Sequence, residues 1–110
     1  MNNNQIKIIQ PGGILDAATS QKLQSQIIGL VDNGTKIVLV DFQNVTFVDS
    51  SGLGYLVLAF KYLREVDSQL LMCSVNEQIR ILFELTGMDK VFTVFSNQEE
   101  FKQSPLFHSY

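Results

Sequence analysis

A chain of 110 residues, 45% apolar and 17% charged, is one domain's worth of sequence, able to close a single modest core and too apolar for a disordered chain. Its formal net charge of -3 offers no basic footprint, which argues against direct nucleic-acid binding. No run approaches the roughly 18 apolar residues of a membrane span, and Met1–Gln5 lacks the basic-then-apolar order of a signal peptide, so a soluble cytoplasmic protein is expected.

Ile6–Ile9 reads as a short strand ended by Pro11-Gly12-Gly13, and Ile14-Leu15 as a second short extended piece. Asp16 is placed to cap a helix, because its carboxylate can accept from first-turn amides. Leu23, Ile27 and Leu30, with Ile28 and Val31 beside them, form that helix's apolar stripe, and Asn33-Gly34 stops it. Lys36–Phe42 has a nearly continuous apolar interior rich in β-branched residues, the pattern of a strand covered on both faces. After a break at Gln43-Asn44, Val45–Val48 is a short extended or irregular piece.

A second helix is predicted over 51–66, with Leu53, Leu56, Val57, Phe60 and Leu63 on one broad face. Gln69–Ser74 is the next strand, and its lone Cys73 reads as a small core hydrophobe. Asn76–Thr86 is a third helix with Ile79, Leu82 and Phe83 inward and Gly87 as its stop. Val91–Phe95 is the last strand. Ser96 and Glu99 fit a capping box for a final short helix, and residues 104–110 read as a flexible tail. One domain over 1–110 is expected, an α/β fold with a mostly parallel sheet of four to five strands.

The segment with chemistry in it is Asp49-Ser50-Ser51-Gly52-Leu53-Gly54, between an extended piece and a helix. Serines there sit among outward-pointing amides at the positive end of the helix dipole, where a phosphate would be held. Gly52 and Gly54 lack side chains and would let another surface approach closely. Three roles remain open on these residues: a plain cap for Ser50 or Ser51, a modified switch, or a nucleophile. The last lacks a base, since the only histidine is His108 in the tail. Neither a Gly-x-Ser-x-Gly elbow nor a phosphate-cradling loop is present, and the metal ligands are too few, so no catalytic, cofactor or metal site is read. In a parallel sheet the carboxyl ends of the strands gather at one edge, so Asp16, Asp41 and Asp49 are candidates to share a rim with Ser50.

The run Ile37–Phe42 followed by Val45–Gly54 resembles the STAS domain of bacterial anti-sigma factor antagonists. Ile79–Met88, the following Val91-Phe92, and Leu15-Asp16 with Gly13 as a Gly-x-Leu-Asp signature extend the likeness over residues 6–102. The resemblance implies partner switching. An unphosphorylated antagonist binds an anti-sigma factor that is also a serine kinase; phosphorylation releases it, and a serine phosphatase restores it. It assigns the phosphorylated residue to Ser50, with Ser51 as the alternative, and the partner-binding surface to Asp16, Asp49, Ser50, Ser51, Gly52, Leu53, Gly54 and Leu56. The protein would be substrate and ligand, not enzyme. A serine-switched module regulating a pathway without a sigma factor is the alternative. The chain departs from the family in its N-terminal strands, which are cut short, with one missing or very short.

Overall fold

The computed structural model describes residues 5–108. Met1–Asn4, most of the segment read against a signal peptide, and the last two tail residues lie outside them. The elements run β1 (Ile6–Ile9), β2 (Gly12–Leu15), α1 (Ala17–Asp32), β3 (Ile37–Asp41), β4 (Asn44–Val48), α2 (Ser50–Glu65), β5 (Gln69–Cys73), α3 (Glu77–Thr86), a 3-10 turn at Met88–Lys90, β6 (Thr93–Phe95), α4 (Gln98–Lys102) and α5 (Pro105–His108).

β3 is buried at every residue, as its unbroken apolar run requires. It lies inside a four-stranded parallel sheet of order β1-β3-β5-β6. Strand side chains alternate between faces. Val38, Val40, Leu70 and Met72 therefore meet Leu23 and Ile27 of α1 and Leu56, Ala59 and Leu63 of α2. Ile37, Leu39, Leu71 and Cys73 meet Phe101 of α4, with Leu106 and Phe107 of α5 beside it. Cys73 is a core residue, and burial pushes its thiol up to about 11. The architecture is thus a parallel sheet with helices on both faces, reached by alternating strands and helices.

The N-terminal strands are indeed short, four residues each, with Pro11 between them. They do not share a sheet. β1 joins the main sheet beside β3, whereas β2 pairs in parallel with β4, Leu15 opposite Val48. Val45–Val48 is therefore a strand with an irregular register at Thr46, and it begins at Asn44, inside the expected break. The Val45 amide donates to the Phe42 carbonyl (2.9 Å), and this tight turn lets the chain resume extended at once.

Toward the C-terminus three features differ from the sequence reading. Val91-Phe92 is not strand: Gly87 takes the left-handed conformation (φ 76°), and the turn after it draws the Val91 and Phe92 amides onto the Met88 carbonyl. The cap of α4 is Asn97, one residue beyond Ser96, and the acid reaching back to the Ser96 amide is Glu100, not Glu99. The segment read as a tail is helical over Pro105–His108 and packs Leu106 and Phe107 against the sheet.

Asp41 ends β3 with its side chain on the α4 face, buried. Its carboxylate accepts from Gln10 Nε2 (2.7 Å), Gln98 Nε2 (2.7 Å) and the Gln43 amide (2.9 Å). Burial raises its pKa, but those bonds outweigh it and hold the carboxyl below its ordinary value. A depressed folded-state pKa stabilises the fold above the unfolded value of about 4, and that contribution is lost as pH falls through the folded value. Asp41→Asn turns an amide nitrogen toward two donors and is expected to cost about 2 kcal/mol at neutral pH, with a shallower acid limb than the wild type. Urea unfolding at pH 7 and pH 3 measures both; equal stability at pH 7 would show that this clamp contributes nothing.

Candidate functional site

The β2–α1 and β4–α2 turns are built alike and lie side by side. Each runs strand, aspartate, helix. Asp16 caps α1, its carboxylate accepting from the Thr19 amide (3.0 Å) while the Asp16 amide donates to the Thr19 hydroxyl (3.0 Å). The Thr19 amide first, then its hydroxyl, lowers the Asp16 pKa. Asp49 caps α2, its Oδ1 accepting from the Gly52 amide (2.8 Å). The Asp49 amide donates to the Leu15 carbonyl (3.2 Å), tying one turn to the other. The cap is thus neither Ser50 nor Ser51. An aspartate binds first-turn amides as well as serine does, and sits one residue earlier.

With Asp49 as cap, Ser50 is the first helical residue and Ser51 the second, and both are exposed. The Gly52 amide is taken by Asp49 Oδ1 and the Leu53 amide by the Asp49 carbonyl (2.9 Å). The amides of Ser50 and Ser51 therefore face outward at the positive end of a sixteen-residue helix. A phosphoryl group on Ser50 would meet these amides and stand beside the Asp49 carboxylate, which is directed at Gly52.

The other expected partner-facing residues divide sharply. Gly52 is buried, and a Cβ there would lie 2.2 Å from the Leu15 carbonyl oxygen and 3.0 Å from the Ser20 hydroxyl. Its closeness serves the molecule's own β2–α1 turn, not an incoming surface. Leu53 and Leu56 are core residues, because their helical face is the one that packs on the sheet, so their side chains are withdrawn from any partner. Asp16, Ser50, Ser51 and Gly54 are exposed, and Asp49 is half-buried. Asp41 leaves the rim, since strand alternation sends its side chain to the opposite face of the sheet. His108 stands on that face too, on α5, away from the serines.

Sequence reasoning missed the apolar neighbours of Ser50. Ile14 (54% exposed) and Phe47 (44%) face each other across the β2–β4 ladder on its solvent side. A shallow groove lined by Ala17, Ser51, Gly54, Tyr55 and Leu58 runs on the other side, and Leu58 is half-exposed. Alternation along Asn44–Val48 would bury Phe47 with Val45; the register shift at Thr46 instead turns Phe47 to solvent and buries Val48, so the apolar pair leaves no sequence signal. It also missed Gln78. This α3 side chain bonds both backbone groups of Val48: the Val48 amide donates to Oε1 (3.0 Å), and Nε2 donates to the Val48 carbonyl (3.0 Å).

Among the described residues, no cluster of three or more His, Cys, Asp or Glu side chains is set to hold a metal ion, and no helix is long and apolar enough to cross a membrane.

The STAS domain family model matches residues 2–101. An anti-sigma-B factor antagonist of Staphylococcus aureus is 33% identical over 91 residues, covering 83% of this chain and 84% of that one. The anti-sigma factor antagonist SpoIIAA in its unphosphorylated form superposes with a TM-score of 0.75 at 18% identity, over 90% of this chain and 88% of the other. The Bacillus cell fate determinant SpoIIAA in its phosphorylated form gives 0.71 at 19% identity, over 94% of each chain. At such identities the two structures speak for the fold alone.

Proposed function

The chain belongs to the STAS domain family and is homologous to anti-sigma factor antagonists, and on that premise we propose that it is a partner-switching antagonist in the cytoplasm, controlled at Ser50. Unmodified, it binds an anti-sigma factor that is also a serine kinase, through the exposed turn at Asp16, Asp49, Ser50, Ser51 and Gly54 and the flanking Ile14 and Phe47. The kinase transfers the γ-phosphoryl group of ATP to Ser50 Oγ; the hydroxyl proton and ADP depart, and the antagonist lets go. A serine phosphatase returns the hydroxyl by hydrolysis, releasing inorganic phosphate.

The observation that carries this reading is the placement of Ser50, an exposed hydroxyl at the first position of α2, beside an exposed apolar pair. A kinase can reach the oxygen without unfolding anything. A phosphoryl group adds about 1.5 to 2 negative charges at the centre of the contact, where like charge on a partner is costly. The fixed turn means that the two states differ chiefly by charge.

Phosphosite mapping by mass spectrometry tests it, after incubation with ATP-Mg and lysate of the source organism, with Ser50→Ala as control. Phosphate on Ser50, absent from the control, is the expected result. Phosphate on Ser51 alone moves the switch by one residue. No phosphate, while other proteins in the lysate are labelled, overturns the reading. The partner retained by the unmodified protein then separates a sigma-factor pathway from another signalling pathway, since both use the same site.

A further inference from the structure

β4 has β2 on one side only. Among the described residues its other edge belongs to no strand, yet Val48 is fully buried there. Along a strand, successive residues turn their amide and carbonyl to opposite sides. Asp49 turns toward β2 and bonds Leu15; Val48 turns away, and both its polar groups need a partner that no strand supplies. Gln78 supplies it, accepting from the amide and donating to the carbonyl, both at 3.0 Å, as a neighbouring strand would. Asn76 strengthens the seam: while its Oδ1 caps α3 by accepting from the Ile79 amide (2.9 Å), its Nδ2 donates to the Thr46 carbonyl (3.2 Å). The first turn of α3 thus stands in for a third strand beside β4.

We propose that Gln78 is a positioning residue for the Ser50 switch. Val48 is two residues before Ser50. The Leu15–Asp49 bond holds the turn from the β2 side, and the Gln78–Val48 pair holds it from the α3 side. Together they fix the path of Asp49–Ser50 and so the place at which a phosphoryl group is presented. The inference rests on the functional reading above for what the position serves, but the positioning itself is measurable without any partner. Only a side chain that both donates and accepts, with the reach of glutamine, can do this.

The test uses the isotope-labelled full chain as wild type, Gln78→Leu and Gln78→Glu. In Gln78→Leu the Val48 amide is expected to exchange at least about ten-fold faster, with Gly52 following, while amides of β3 stay within about two-fold. An unchanged Val48 amide overturns the proposal. So does equal acceleration across β3, which would mean that Gln78 serves global stability alone. Gln78→Glu adds a signature that a merely structural role would not give. The protonated acid both donates and accepts, whereas the carboxylate only accepts. The Val48 and Ser50 amide resonances should therefore show a pH response beyond that of the wild type, whose own carboxyls Asp49 and Asp16 stand in these turns, and be native-like at the acid end; a response no different from the wild type's overturns the proposal. In lysate with ATP-Mg, Gln78→Leu should gain phosphate on Ser50 at least about five-fold more slowly than wild type, against the loss of a paired buried backbone site. Equal rates overturn the inference and leave the Ser50 reading standing. An unlabelled wild type overturns that reading instead, and the exchange data still decide the positioning.

Discussion

Gly52→Ala is expected to lower stability by about 3 kcal/mol or more, and the melting point by about 15 °C, whereas Gly54→Ala, two residues on, is expected to raise stability by about 0.5–1 kcal/mol. The two glycines stand in the same helix and the same motif, and only their surroundings differ. A Cβ on residue 52 meets the Leu15 carbonyl oxygen at 2.2 Å, far inside contact distance. The obstacle is backbone, held in the β2–β4 ladder and by the Asp49 amide, so it cannot swing aside as a long side chain would. The start of α2 would have to move as a body, taking Ser50 with it. A Cβ on residue 54 meets nothing within 4 Å, and there alanine brings only its better helix propensity. Thermal and urea unfolding of the two variants decide the matter. If they melt within about 1 °C of each other, the close approach of Gly52 to Leu15 is not what the structure says it is.

The same pair shows how far the amino-acid sequence reaches. Whatever is written in local periodicity was legible: the buried run of β3, the stripe of α3 with its Gly87 stop, and the alternation of strands and helices that sets the class of fold. The β2–β4 pairing was not, because strands of four and five residues that pair across about thirty residues leave no periodic trace, and Val45–Val48 alone reads as irregular. The Asp16 cap of α1 was read at its own residue, but those of α2 and α4 only to within one residue. Asp49 and Ser50, or Ser96 and Asn97, are equally able acceptors, and the choice falls to backbone geometry that composition does not encode.

For the site, the serines were legible through the motif and its resemblance, and the structure places them exposed at the start of α2. Leu53 and Leu56 were assigned to the partner surface from their place in that motif. They are core because a helix start must bury one face even while the other is presented. Gln78 left no signal at all. In Asn76-Glu77-Gln78 it looks like one more polar residue of a solvated helix start, and its role depends wholly on Val48, thirty residues away.

Ser50→Asp is expected to weaken capture of the partner at least about ten-fold, while Ser50→Ala binds within about two-fold of wild type and is no longer released by ATP. An aspartate at the first position of α2 faces the positive end of the helix, where acidic side chains stabilise by about 0.3–1 kcal/mol. Ser50→Asp should therefore melt no lower than wild type, so a lost partner cannot be put down to unfolding. It must come from charge at the contact. One carboxylate carries less charge than a phosphoryl group, so the phosphorylated protein should bind more weakly still. Phe47→Asp supplies the matching control. Its ring is 44% exposed, opposite Ile14, so the fold should survive while the apolar half of the contact is lost whatever stands at position 50. Pull-downs with each variant, paired with melting curves, read this out. If Ser50→Ala keeps its native melting point but fails to hold the partner, the hydroxyl itself is the contact and release by added charge is the wrong mechanism. If Ser50→Asp binds as tightly as wild type, the surface that the partner reads lies elsewhere on the domain.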